Sequence, residues 1–381
     1  MTPEFRNRLK TVDDTLLTPI VRRRLENDHA EVTNWRYLSV EDGFGHAYGV
    51  YRFRGEAQAG GEILDWSLIL KAIGPATGSP EPTAADYWKR EVLVYQSGIL
   101  NDLPGDLVAA RCLALVEYPG EEYWLWLEDA AESGDRIWSL ERYRLAARHL
   151  GQFNGAYLVD QPIPTFPWLS TGPLRHHLEM AEPGVAELPE LNQNPLFKGL
   201  LPGDSLERSL KLWGNRQRLL AGLARLPRPL CHHDAHRKNL IARKLASGRQ
   251  QTVAFDWNVM GTGAIGEEVA ALFADSLKFI ALDLNEIPAL DAHIFAGYMD
   301  GLFDAGWRGD TEWVRFGFAA TAALSSIAAR AVRWPLVARH AAALQAGAER
   351  PRLLNPGGAA QAVAKDLYLI GLGEEALALA F

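Results

Sequence analysis

The sequence predicts an α+β protein of two lobes, a small β-rich lobe followed by a larger helical one, and three observations predict it. Between residues 35 and 127 the chain is dominated by β-branched and aromatic runs punctuated by Gly and Pro. After Glu128 it turns to Ala- and Leu-rich stretches with helical spacing. Its 381 residues are enough for two such units with a sizeable core. We place the join after Leu127, which gives residues 1–127 and 128–381 as the two domains.

Taken in order, the first thirty residues read as a charged amphipathic helix leading into the strand Trp35-Arg-Tyr-Leu-Ser-Val. Residues 46–54 and 63–73 are strands, and residues 83–98 carry Tyr87, Val92 and Tyr95 on one helical face with Gly98 as the stop. Residues 112–118 and 123–127 flank Pro119-Gly120 and read as a hairpin. Residues 139–157 form a helix with Ser139 as N-cap. Residues 160–202 hold eight prolines with little periodicity and read as irregular or inserted. A helix over 206–226, short strands near Leu230 and at 252–255, and helix thereafter complete the reading.

A net charge of −8 argues against a general nucleic-acid binder and suits a cationic substrate. The polar, charged start shows no signal peptide, and the apolar stretch 318–332 is too short and contains Arg330, so no membrane span is expected. Two distant cysteines, Cys112 and Cys231, make no disulfide framework, and a cytoplasmic location is the expectation. No heptad or interface stripe indicates an oligomeric state.

Residues 230–241, Leu-Cys-His-His-Asp-Ala-His-Arg-Lys-Asn-Leu-Ile, set Asp234 and Asn239 five positions apart between apolar segments. Asp256 lies seventeen residues beyond Asn239 and closes the short apolar strand Val253-Ala-Phe-Asp-Trp. Phosphoryl transfer needs a carboxylate to orient the attacking hydroxyl and oxygen ligands for one or two Mg²⁺ ions. One loop can present Asp234 to a hydroxyl while Asn239 reaches a metal, and Asp256 at the strand end stands where a second metal ligand is needed.

These residues resemble the aminoglycoside phosphotransferase and choline kinase-like family, relatives of protein kinases, whose loop runs His-Gly-Asp-x-His-x-x-Asn and is followed by Asp-Trp or Asp-Phe. His232, Asp234, His236 and Asn239 match the first pattern and Asp256-Trp257 the second, while His233 stands where the family has Gly. The family often continues to a Gly and then to an Asp that opens the next helix; Gly263 and Glu268 occupy those places. The resemblance covers residues 35–275 and implies a bilobal protein-kinase-like fold. It implies that Lys71, in Ile69-Leu-Lys71, contacts the α- and β-phosphates and that Glu91 fixes that lysine. It further implies that Gly43 and Gly45 belong to a turn over the phosphates, and that Leu127, Glu128 and Asp129 form a hinge meeting adenine. ATP or GTP with Mg²⁺, and a small hydroxyl-bearing acceptor (an aminoglycoside, choline-like amine, sugar or amino alcohol), are the implied partners.

Other readings stand beside these. The histidines of residues 232–236 with Cys231 suggest zinc, but no His-Glu-x-x-His base is present. Gly261-Thr-Gly-Ala-Ile-Gly266 with Asp283 is a formal dinucleotide fingerprint, yet the strands of a doubly wound sheet are lacking. His232 reads as a hydrogen-bonding loop residue, Arg237 and Lys238 as phosphate contacts or a solvated pair, and Glu128, Asp129, Glu132 and Asp135 as a solvated face. Trp168, Trp307, Trp313 and Trp334 read as packing residues rather than an ammonium box. A catalytically idle nucleotide-binding regulator on the same fold is the alternative function, although no catalytic residue is missing. The absence of Ala-Pro-Glu after Asp256 argues against a protein kinase.

Overall fold

The computed structural model describes residues 3–40, 47–134, 137–279, 284–343 and 356–380. Two helices, α1 (Pro3–Leu9) and α2 (Asp14–Leu25), open the chain, and Asp13 caps α2 by accepting the Leu16 N–H. The leading helix expected from the sequence is therefore two. Phe5, Leu9, Leu17, Ile20 and Val21 from this pair cover one face of an antiparallel sheet.

That sheet comprises β1 (Glu31–Ser39), β2 (Gly49–Ala59) and β3 (Glu62–Ile73), with β5 (Cys112–Tyr118) and β6 (Glu122–Glu128) reached after α3 (Arg90–Ser97) and the short β4 (Leu107–Ala109). Its order is β1-β2-β3-β6-β5. Gly60-Gly61 turns β2 into β3 with φ of 59° and 90°, the positive values a two-residue hairpin turn demands. Side chains alternate along β3. Trp66, Leu68 and Leu70 enter the core beneath α1 and α2, and Lys71 falls on the opposite face, where Trp88 just before α3 and Val92 within it pack on Ile73, Leu125 and Leu127. The helix expected over 83–98 is confined to α3. The carbonyls of Pro82, Ala84 and Ala85 bond to the Arg90 guanidinium rather than to a helical ladder.

Beyond β6 lie α4 (Leu140–Val159), capped by Ser139, then α5 (Leu174–Leu191), α6 (Ser205–Gly214) and α7 (Arg216–Arg225). The stretch 160–202 is thus not irregular throughout. Leu174, Leu178, Ala181, Val185 and Leu188 line a buried face of α5. That burial outweighs the hydrogen bonds lost at Pro183 and Pro189 inside the helix. The single helix expected over 206–226 is broken at Asn215, which ends α6 and begins α7.

Four short strands follow: β7 (Leu230–Cys231), β8 (Leu240–Lys244), β9 (Gln250–Ala254) and β10 (Gly261–Thr262). Strand β9 pairs antiparallel with β8 and parallel with β4, and β7 pairs with β10. The helices α8 (Glu267–Phe279), α9 (Ile287–Asp304), α10 (Thr311–Ala343) and α11 (Pro356–Leu379) complete the larger core. The architecture is the expected α+β arrangement, a β-rich N-terminal part and a helical C-terminal part. Among the described residues no helix is long and apolar enough to cross a membrane.

Candidate active site

The β7–β8 connection and the end of β9 bring the chemistry-bearing residues together. Leu240 pairs with Ala254, so Asn239 just before β8 lies beside Phe255, whose N–H donates to the Asn239 carbonyl at 3.2 Å. Asp256 follows at φ 64°, a left-handed conformation that costs a non-glycine residue about 1–2 kcal/mol. The Asn239 amide N–H₂ donates to the Asp234 carbonyl at 3.0 Å and to Asp234 Oδ2 at 2.8 Å. This fixes the amide orientation and leaves Oδ1 as a hard oxygen donor.

His232 joins the two segments. Its Nδ1 accepts the Asp234 N–H at 3.1 Å, so Nε2 carries the proton and donates to the Phe255 carbonyl at 2.9 Å. The ring is buried against Trp257, and burial pushes its pKa down to about 4. Both ring nitrogens are therefore committed to the protein. Among the described residues no group of three or more His, Cys, Asp or Glu could hold a metal ion.

Lys71 links the sheet to this pair of loops. Its Nζ lies 2.5 Å from Glu91 Oε2 on α3 and 2.7 Å from Asp256 Oδ1. Burial opposes its charge, yet Asp256 and Glu91 outweigh that, and the net shift of the Lys71 pKa is upward. Burial raises the Glu91 pKa, against the pull of Lys71. Lys71, Glu91 and Asp256 thus form one connected, largely buried chain of charges.

The loop is anchored from below by Glu268 on α8, which is fully buried. The His232 N–H donates to its Oε2 at 2.6 Å and the His233 N–H to its Oε1 at 3.1 Å. Asn154 of α4 donates to the Leu230 carbonyl at 2.8 Å and accepts from the Tyr298 hydroxyl of α9 at 2.7 Å. Burial pushes Glu268 up to about 7. His233, where the family pattern has Gly, sits at φ 67°. Its buried ring fits against two glycines: a Cβ on Gly263 would lie 2.4 Å from His233 Cε1, and one on Gly172 3.3 Å. Burial, with Arg228 nearby, pushes its pKa down to about 3, so the ring is neutral.

The remaining expectations divide. Gly43 and Gly45, like Asp135 and Asp283, lie outside the described residues. Leu127 pairs with Ile69 across the sheet, beside the Lys71 face. The acidic run is not a solvated face: Glu128 bonds to Arg243 at 2.7 Å, Asp129 to Arg52 at 2.8 Å and Ser67, and Glu132 to Arg237 at 3.0 Å. Arg237 also packs over Trp138, 4.1 Å from its ring centre. A cavity of about 970 Å³ opens beside this segment, lined by Arg36, Arg52, Arg54, Ser67, Asp129 and Glu132 among others, and residues 232–239 do not line it. The glycine run 261–266 is not a turn leading straight from a strand into a helix: Gly261 and Thr262 are themselves strand β10, antiparallel to β7, and Gly261 packs on Ser170 and Gly263 on His233. Trp168, Trp307 and Trp334 are buried, and Trp313 is partly exposed. Asn154, Tyr298 and Arg90 were not legible as site residues, although a charge at Arg90, three after Tyr87 on an apolar face, is itself a signal.

No family model and no curated protein sequence matches the chain. Solved structures do. An amicoumacin kinase in complex with AMP-PNP, Ca²⁺ and Ami superposes with a TM-score of 0.54 at 13% identity, covering 97% of this chain and 96% of that one. A microcompartment-associated aminopropanol kinase gives 0.52 at 12% identity, covering 95% and 98%. A choline kinase from Cryptosporidium parvum gives 0.51 at 10% identity, covering 96% and 97%. These likenesses establish a shared two-lobed, protein-kinase-like fold over nearly the whole chain.

Proposed function

We propose that this chain, built on the fold shared by those small-molecule kinases, transfers the γ-phosphate of ATP or GTP to a hydroxyl of a small polar molecule. The observation that carries the reading is the largely buried chain Glu91–Lys71–Asp256, set beside Asp234 and Asn239. A lysine ion-paired to a helix glutamate and facing a strand-end aspartate is what holding phosphates and a cation together requires.

In this reading Asp234, part-exposed at the loop, accepts the proton of the acceptor hydroxyl. The hydroxyl oxygen bonds to the γ-phosphorus, the bond from that phosphorus to the β–γ bridging oxygen breaks, and the nucleoside diphosphate leaves. Lys71, fixed by Glu91, holds the α- and β-phosphates. Asn239 and Asp256 offer hard oxygen donors of the kind Mg²⁺ takes, and the cation when bound neutralises charge on the phosphates. The backbone near Leu127–Asp129 meets the nucleotide, since the Glu128 and Asp129 side chains are already engaged. The protein's contribution is positioning and charge neutralisation. Residues 1–127 and 128–381 serve as the nucleotide and acceptor lobes, and aminoglycosides, choline-like amines, sugars and amino alcohols are the acceptor classes. The net charge of −8 favours a cationic one.

The test is a nucleotide-consumption screen across those classes, with Asp256→Ala as blank. Against the acceptor it finds, Asp234→Asn should abolish Mg²⁺-dependent transfer while nucleotide binding by calorimetry survives. Full activity in Asp234→Asn would overturn the role given to this residue.

A further inference from the structure

Arg90 begins α3 and immediately precedes Glu91. Its side chain is fully buried. Nε donates to the Trp168 carbonyl at 2.7 Å, and Nη1 to the carbonyls of Ala85 at 2.7 Å and Asn258 at 3.0 Å. Nη2 donates to the Pro82 carbonyl at 3.3 Å and to that of Ala84. A guanidinium has five N–H donors, and here every one is spent on a main-chain carbonyl.

The carbonyls come from three separate places. Pro82, Ala84 and Ala85 belong to the turn before α3, Trp168 to the segment between α4 and α5, and Asn258 lies two residues after Asp256. Burying a guanidinium without a bonded carboxylate is costly, so the arrangement must be held by all these contacts together. Helix α3 needs such a hold. It has only eight residues, too few to be stable alone, and its N-cap residue Lys89 makes no side-chain cap bond.

We propose that Arg90 is a positioning residue that pins the start of α3 to the loop carrying Asp256, so that Glu91, Lys71 and Asp256 are aligned before any substrate arrives. One arginine thereby fixes the distance between a helix glutamate and a strand-end aspartate that face the same lysine. Its catalytic consequence rests on the phosphotransferase reading; the pin itself does not. The expected behaviour is a site standing assembled in the free protein, without a swing of α3 on nucleotide binding.

Two variants test it, Arg90→Met, which fills the space without donors, and Arg90→Lys, which keeps the charge with fewer, unforked donors. Hydrogen exchange of the ligand-free protein is the first readout. Loss of the Asn258 and Trp168 bonds should speed exchange of the α3 amides by about tenfold or more in Arg90→Met, less in Arg90→Lys, with α10 unchanged. The second readout is kinetic: KM for the nucleotide should rise and kcat fall, while KM for the acceptor stays. A merely structural role would lower kcat with the folded fraction and leave the nucleotide KM alone. If Arg90→Met does not fold, Arg90→Lys decides. Unchanged α3 exchange in a folded variant, or an unchanged nucleotide KM, overturns the proposal. A wild-type protein that phosphorylates nothing would instead sink the functional reading, and hydrogen exchange would still judge the pin.

Discussion

Glu268 should make stability and activity move in opposite directions with pH. Its carboxylate is fully buried and accepts the N–H groups of His232 and His233. The groups around it are Glu267 on its own helix, Cys231 and the neutral His232 and His233 on the loop, Asn154 on α4, Tyr298 on α9, and Arg228 before β7. Burial is the main cause of its rise from an ordinary 4.5 to about 7. A carboxyl raised that far favours the protonated folded state by about 3 kcal/mol. Because the pKa is raised on folding, that stabilisation is fully present below pH 4.5 and is lost as pH rises through about 7. Catalysis should follow the other form, since only the ionised group offers both oxygens to the two loop N–H donors. The assay compares denaturant unfolding of wild type and Glu268→Gln, which cannot titrate, from pH 4.5 to 8. The stability of wild type minus variant should fall by about 3 kcal/mol across that range. Meanwhile kcat should rise through pH 7 in wild type, and this rise should be missing in the variant. A stability difference that stays flat across the range would refute the reasoning.

Lys71→Met leaves the Glu91 and Asp256 carboxylates facing each other without their shared cation, and should cost about 3–5 kcal/mol by thermal melting. Lys71→Met combined with Glu91→Gln should cost less than the sum of the two single changes, a non-additivity that a double-mutant cycle measures. At residue 233, His233→Gly and His233→Ala both remove the ring and differ mainly in tolerating φ 67°, so the glycine variant should be the more stable by about 1–2 kcal/mol. Equal melting points for those two would contradict the strain assigned there.

What could be read in the sequence was what is local. Asp234 and Asn239 share one loop and Asp256 ends the neighbouring strand, so their spacing already carried the geometry that β8 and β9 enforce. Lys71 and Glu91 are far from that loop in sequence, and only a family resemblance joined them to it. The partners of Glu128, Asp129 and Glu132 were illegible for the same reason. Arg243, Arg52 and Arg237 are brought to them by the fold, and a run of acids looks alike whether solvated or paired. Helix α5 was legible but misweighed, because proline composition was set above the buried spacing of Leu174, Leu178, Ala181, Val185 and Leu188. Arg90 is the hardest case. Its partners are backbone carbonyls, which every residue has, so nothing in the letters marks them.

The two departures from the family pattern, His233 for Gly and Glu268 for Asp, meet in space. The left-handed backbone at His233 costs about 1–2 kcal/mol, and a hydrogen bond to Glu268 in its ionised form returns about 1.5–3 kcal/mol. The His233 N–H makes that bond to Glu268 Oε1 at 3.1 Å, so the contact that anchors the loop also holds its strained residue. Room for the imidazole comes from Gly172 and Gly263, where any side chain would crowd it. A histidine in this position is therefore supported on three sides, by an anchoring carboxylate and two glycines. Asp234 follows it directly, so the same contacts that tolerate the histidine fix the backbone from which the proposed proton acceptor projects.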